Sequence, residues 1–410
     1  MRPFVRYCGP PLGIAALLVG VQGADARTSY LQQCLAPDAT DRLRLEACAF
    51  AGRDDALGAP DRAAALARRA ETILAKINKE RNRFDLRDMA RADLVVARRL
   101  MPDDPDIQRL YIALNEHWTG KTEDQLAAVN TVIASEGEDS GLLLKRSVAH
   151  FRRGALEKAL ADVKRAIELD ARNVDAYIVE GQILTGMLRN TESVAAFSKA
   201  IELAPDRQDI KLQRMGPALA SQQFEIARDD GQAALTGAQA KAHLWDILGV
   251  ADYMLQDYKA AEAAFVEHFK LERSAMRVLV WRFLAASRAG TADIAGAAEQ
   301  AAQLGERWPS AVFRYFAGTG SEADVMAQAA ASPVELRPAR ISQAHFYIGE
   351  WNLLMGGPRA AAREHFAAVV AAGFVFGTAM ETSLGEQTAI NENSILEVSA
   401  ATARLKEMAQ

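Results

Sequence analysis

Between residues 140 and 275 the apolar positions recur three and four apart, the spacing of one face of an α-helix, and turn formers such as Gly154 and Pro205 punctuate the runs. The pattern then repeats at thirty-four residues. Ala159, Val163 and Ala166 are followed by Ser193, Phe197 and Ala200, then by Ala227 and Ala234 with Phe224 ahead of them, then by Ala261 and Phe265. The tails Ala166-Ile-Glu-Leu-Asp170 and Ala200-Ile-Glu-Leu-Ala-Pro205 are nearly identical. Four helix hairpins are predicted, starting near 140, 174, 208 and 242. Small residues (Gly181, Gly249, Ala159, Ala261) mark where two helices cross closely, and larger ones (Leu248, Phe197, Phe265) fill the gap to the next hairpin. No such hairpin buries its apolar face alone, so neighbours must stack to make a core.

Trp245, Leu248, Gly249, Tyr258, Ala261 and Phe265 together resemble the tetratricopeptide signature, with Asp252 standing where that family prefers Tyr. The resemblance implies an all-α fold, a right-handed superhelix of stacked helix hairpins with a concave inner groove. The phase weakens outward from these four hairpins. Residues 106–139 keep Ala113 and Gly120 in register, and residues 62–103 read as a degenerate helical pair ending at Met101-Pro-Asp-Asp-Pro105. The expected organisation is a cleaved signal peptide at 1–26, an N-terminal helical cap at 27–105, a repeat array at 106–275 and a repeat-like helical region at 276–410. In the last region two helices over 276–306 precede the stop Trp308-Pro309, and a short helix follows at Ala323–Ala330. Repeat slots return at Gly349, Gly356, Ala361 and Ala368, and a last helix is expected over Ile395–Met408.

That order, with Phe346-Tyr-Ile-Gly-Glu350 and Ala361-Ala-Arg-Glu-His-Phe366, is similar to the NlpI-type tetratricopeptide adaptors of the bacterial envelope over roughly residues 140–375. The resemblance implies a scaffold that docks murein hydrolases, and sometimes a processing protease. Two features depart from it: the chain has no lipid-attachment cysteine, and its tail after Phe376 differs from an acidic Ala/Leu-rich closing helix.

Composition agrees with an all-helical reading: aromatics are 7%, and the net charge of −5 argues against tracking a phosphate backbone. Arg2 and Arg6, the apolar run Leu12–Val21 and the small residues of Ala24-Asp25-Ala26 match an export signal, the alternative being a membrane-anchored N-terminus. Such a chain is periplasmic or secreted. Cys8 falls within that segment, and Cys34 and Cys48 flank a turn-like stretch. They are expected to form a disulfide, with two buried free thiols the alternative.

No catalytic constellation is present. The six histidines form no metal-binding spacing, and there is no nucleophile elbow or phosphate loop, so the chain reads as a non-enzyme without cofactor or metal. The resemblance places first-helix residues in the groove: Leu144, Val148 and Phe151; Asp175, Ile178, Gln182 and Thr185; His243, Asp246, Val250 and Tyr253. This lining suits an extended or helical segment held by apolar contacts. Asp246 and Tyr253 are the preferred contacts, because such groups are poor choices for a dry seam. The expected partners are other envelope proteins, with no nucleic acid and no small-molecule substrate, and self-association is left open. The alternative function is a subunit or chaperone of a secretion or pilus-assembly machine.

Overall fold

The computed structural model describes residues 24–79, 84–114, 122–235, 242–373 and 388–409. Residues 1–23, the body of the expected export signal, lie outside these, and Ala24–Ala26 open the first helix. Among the described residues there are twenty-one α-helices and no strand. They gather into two compact units that divide at Leu169/Asp170, inside the repeat array.

The first unit holds α1 (Ala24–Leu35), α2 (Asp41–Ala51), α3 (Ala59–Lys79), α4 (Phe84–Leu100), α5 (Pro105–Leu114), α6 (Thr122–Glu136), α7 (Ser140–Arg152) and α8 (Leu156–Leu169). Consecutive helices pack as antiparallel pairs, α3 on α4 and α7 on α8 most extensively. The expected disulfide is present: Cys34 of α1 and Cys48 of α2 are joined, with both side chains fully buried. Arg69 of α3 and Asp93 of α4 form a buried bidentate pair at 2.6 and 2.8 Å.

The second unit continues with α9 (Val174–Gly186), α10 (Asn190–Leu203), α11 (Gln208–Ala220), α12 (Phe224–Leu235), α13 (Ala242–Met254), α14 (Tyr258–Leu271), α15 (Met276–Ala289) and α16 (Ile294–Leu304). After Trp308-Pro309 come α17 (Ser310–Phe316), α18 (Glu322–Ala330), α19 (Arg337–Leu354), α20 (Arg359–Ala372) and α21 (Thr388–Ala409). Helices α7, α9, α11 and α13 begin at 140, 174, 208 and 242, as the thirty-four-residue period predicts. The turn inside each hairpin places one residue in the left-handed region at the same slot: Gly154, Leu188, Gln222, Gln256 and then Gly290. The fifth member carries the register through α15 and α16, past residue 275. A left-handed turn is easy for glycine and costs a branched or long residue more, yet the slot holds its geometry whichever residue fills it.

Two kinds of lock close the hairpins, and they alternate. In the first and third repeats an arginine of the first helix makes a bidentate pair with an aspartate of the second: Arg146 with Asp162 at 2.8 and 2.6 Å, and Arg214 with Asp230 at 2.7 and 2.8 Å. In the second and fourth a glycine lets a phenylalanine ring lie against the first helix. A Cβ added at Gly181 would stand 2.8 Å from Phe197, and one at Gly249 would stand 2.5 Å from Phe265. The core of the second unit converges on Trp281, fully buried. Its ring lies 5.8 Å from Phe265, 5.4 Å from Tyr253 and 4.8 Å from Phe346, tying α13, α14, α15 and α19 together. Each such side chain contributes roughly 1.5–3 kcal/mol on burial.

Candidate functional site: the first-helix face and its occupant

Stacked hairpins present their first helices side by side, and this is the face expected to hold a partner. In the second unit the chain's own last helix already lies on part of it. Helix α21 packs on α11, α13, α19 and α20. Over residues 396–404 nearly every side chain is buried, including Leu396, Val398, Ala400 and Ala401. The tail therefore folds back over the first helices.

Three buried polar side chains hold it there. Glu350 of α19, with no exposed surface, accepts hydrogen bonds from Arg404 of α21 at 2.6 Å, from Arg288 of α15 at 2.9 Å and from the Tyr253 hydroxyl at 2.5 Å. Burial alone would push the Glu350 carboxyl up, but Arg404 and Arg288 overcome it and hold it below the usual carboxylate range. For the Tyr253 phenol, burial first and Glu350 second raise the pKa far above the ordinary value, so it remains a donor. Glu397 of α21 accepts from Trp281 Nε1 at 3.1 Å and from the Tyr347 hydroxyl at 3.4 Å, and its second oxygen has no partner. Burial pushes this carboxyl up to about 7, against the opposing pull of Arg277.

The residues expected to line the groove separate accordingly. Tyr253 and Val250 have no exposed surface and belong to the core on which α21 packs, so they offer nothing to an incoming segment. Asp246, 4% exposed, is paired with Arg277 and lies 2.8 Å from His268 Nδ1. Ile178 is buried in the seam with Phe197, Ala200 and Ile210. For these four the expectation of an open contact is corrected: the polar groups do need partners, and the chain supplies them. Asp175 is exposed, 3.6 Å from Arg207. Gln182 bonds Gln213 at 2.6 Å, and Thr185 bonds Gly181 O and Ser193, all half-buried at that face. In the first unit Leu144, Val148 and Phe151 follow one another down α7 and all remain half-exposed. His243 is half-buried at the start of α13, beside a cavity of about 300 Å³ that Asp246 also lines.

Glu350, Arg404 and Glu397 were not singled out by the sequence. The one available signal was an acid on an otherwise apolar stretch, Phe346-Tyr-Ile-Gly-Glu350. Among the described residues no group of three or more histidine, cysteine or acidic side chains is placed to hold a metal ion, and no helix is long and apolar enough to cross a membrane.

The hairpin slots, the thirty-four-residue register and the recurring left-handed turn decide the fold. That fold is tetratricopeptide-like: stacked helix hairpins in a thirty-four-residue register. No family model matches the chain, and no curated protein does. Solved structures with a similar arrangement are distant in sequence. One is a tetratricopeptide repeat protein from Parabacteroides merdae, 15% identical, covering 64% of this chain and 99% of its own with a TM-score of 0.40. Another is Pseudomonas aeruginosa pilF, 14% identical, covering 52% and 93% with a TM-score of 0.39. A third is the C-terminal part of a repeat-containing protein from Cytophaga hutchinsonii, 13% identical, covering 68% and 98% with a TM-score of 0.38. Part of the first-helix face of this array is taken by α21.

Proposed function

We propose that this chain is an exported protein-binding scaffold of the bacterial cell envelope, holding segments of other envelope proteins against its first helices. The observation that carries the reading is the line of Leu144, Val148 and Phe151 on α7. These apolar side chains are four and three residues apart, on one helix face and half-exposed. Rows of this kind suit the apolar side of a helical or extended segment. The way α21 sits on the second unit supports the same mode of recognition, since it is a helix held on first helices by apolar contacts and a few ion pairs. Export is supported by the Cys34–Cys48 disulfide, a bond that persists in oxidising compartments, and by the pattern of residues 1–26. The similarity to NlpI-type adaptors favours murein hydrolases or a processing protease as the partner.

The test is crosslinking and affinity capture from the envelope fraction, comparing the natural chain with a Val148→Asp, Phe151→Ala variant. Capture of a murein hydrolase or protease that the variant loses supports the reading. Capture of secretion or pilus-assembly subunits moves the scaffold to that pathway. Recovery of the protein from the cytoplasm, or no captured protein from cells that make it, sinks the proposal.

A further inference from the structure

The cavity beside Asp246 has a polar wall that the fold does not explain. It holds about 300 Å³, at the small end for an organic ligand, and is lined by the start of α13, the end of α14, the start of α15, Trp308 and the start of α19. Trp308 and Arg340 also line a neighbouring cavity of about 400 Å³, so they stand where the two spaces meet.

Three donor groups on this wall are short of acceptors. Trp308 is 9% exposed, and its buried indole N–H has no partner. Arg277 gives one side of its guanidinium to Asp246, while its buried Nη1 is unpartnered. Among the described residues the one hydrogen bond that the Arg340 side chain makes is to Ser332 Oγ at 3.0 Å. Its pKa is drawn down by burial, with no acid acting to raise it. A buried donor without an acceptor costs free energy, and a half-buried guanidinium without a counter-ion costs more. Two acids also line the cavity: Asp246 pairs with Arg277 through Oδ2 while its buried Oδ1, 2.8 Å from His268 Nδ1, makes no hydrogen bond, and Glu272 lies 3.8 Å from His268 Nε2; neither is paired with Arg340 or Trp308. Met276, Leu336 and Ala339 add apolar surface to the lining. The lining therefore combines a small set of anion-seeking donors with a greasy side, the make-up of a site for a small organic acid.

We propose that this cavity binds a small free carboxylate, the carboxylate group received by Arg340 and the Trp308 indole N–H and the apolar body resting on Met276, Leu336 and Ala339. The site is separate from the α7 face and adds a small-molecule ligand to a chain expected to take no small-molecule substrate.

The test is calorimetric titration of the full chain with hexanoate, with hexanamide and inorganic phosphate as comparison probes. Hexanoate binds and hexanamide does not. Arg340→Gln weakens hexanoate roughly tenfold or more, the loss expected for one charge-assisted hydrogen bond, and Trp308→Phe weakens it by a smaller factor. Arg363→Gln, on the exposed side of α20, leaves binding unchanged. Circular dichroism of each variant separates loss of ligand from loss of fold. Equal binding of hexanoate and hexanamide, phosphate binding as well as hexanoate, or an Arg340→Gln chain that is folded and binds hexanoate as before would overturn the proposal.

Discussion

The Tyr253 hydroxyl donates a 2.5 Å hydrogen bond to Glu350, ninety-seven residues further along the chain, and both side chains are without exposed surface. Glu350 is also the counter-ion of Arg404 and Arg288. Removing its charge leaves Arg288 without its counter-ion and leaves Arg404 only Glu407, at 2.8 Å, in place of its buried partner. Glu350→Gln should therefore cost about 3–5 kcal/mol, the usual consequence of breaking a buried pair from one side. Tyr253→Phe, which removes one hydrogen bond to a charged group, should cost about 1.5–3 kcal/mol. Urea unfolding of both variants checks the order as well as the sizes.

Glu397 makes stability depend on pH in a direction opposite to most carboxylates. Its pKa is about 7 in the fold, against an ordinary value of 4.5. The groups facing it are Arg277 and Trp281 of α15, Tyr347 of α19 and, at longer range, Asp246 of α13. Below pH 4.5 it is protonated in folded and unfolded chains alike and costs nothing. As pH rises from 4.5 to about 7 the unfolded chain releases the proton first, so stability falls across that window and levels off above it, by roughly 3 kcal/mol in all. Glu397→Gln removes this slope and raises stability at pH 8. Urea midpoints measured from pH 4 to 8 for both chains test it, and parallel curves would refute the assignment.

The Cys34–Cys48 bond closes a short loop between α1 and α2. Constraining a loop of about 15 residues is worth roughly 3 kcal/mol in the chain-entropy account. Reduction, or a Cys34→Ser, Cys48→Ser double variant, should lower the unfolding midpoint of the first unit. The oxidised natural chain, melted under the same conditions, is the reference, and limited proteolysis within α1 and α2 locates the loosened part.

Two glycines on first helices should respond in opposite ways to the same substitution. At Gly249 a Cβ would meet Phe265 at 2.5 Å, and overpacking of this kind costs typically about 1–3 kcal/mol. At Gly216, inside α11, a Cβ meets nothing within 4 Å, so alanine should add roughly 0.5–1 kcal/mol of helix stability. Thermal melts of Gly249→Ala and Gly216→Ala give the sign of each.

The array was legible because its information is local. A hairpin's small and large slots are fixed by the helix three or four residues away and by the next hairpin, so the starts at 140, 174, 208 and 242 follow from spacing alone. The occupant of the first-helix face was not legible. Nothing near Glu397 or Arg404 indicates that their partners are Trp281 and Glu350, because an isolated acid on a helix reads as a solvated one. Asp246 and Tyr253 were singled out because such groups avoid dry seams, and that physical argument holds. Their partners, however, are Arg277, His268 and Glu350 of the same chain rather than those of a bound protein.

The alternating locks mean that the smallest unit which truly recurs is a pair of hairpins. Arg146–Asp162 returns as Arg214–Asp230 sixty-eight residues later, and Gly181–Phe197 returns as Gly249–Phe265 at the same interval. Even the side contact is inherited, since Arg146 reaches Asn130 and Arg214 reaches Ser198 at the corresponding place. Growth by duplication of sixty-eight residues preserves the alternation, whereas inserting a single hairpin sets two locks of the same kind next to each other. An engineer lengthening this chain should copy in doublets.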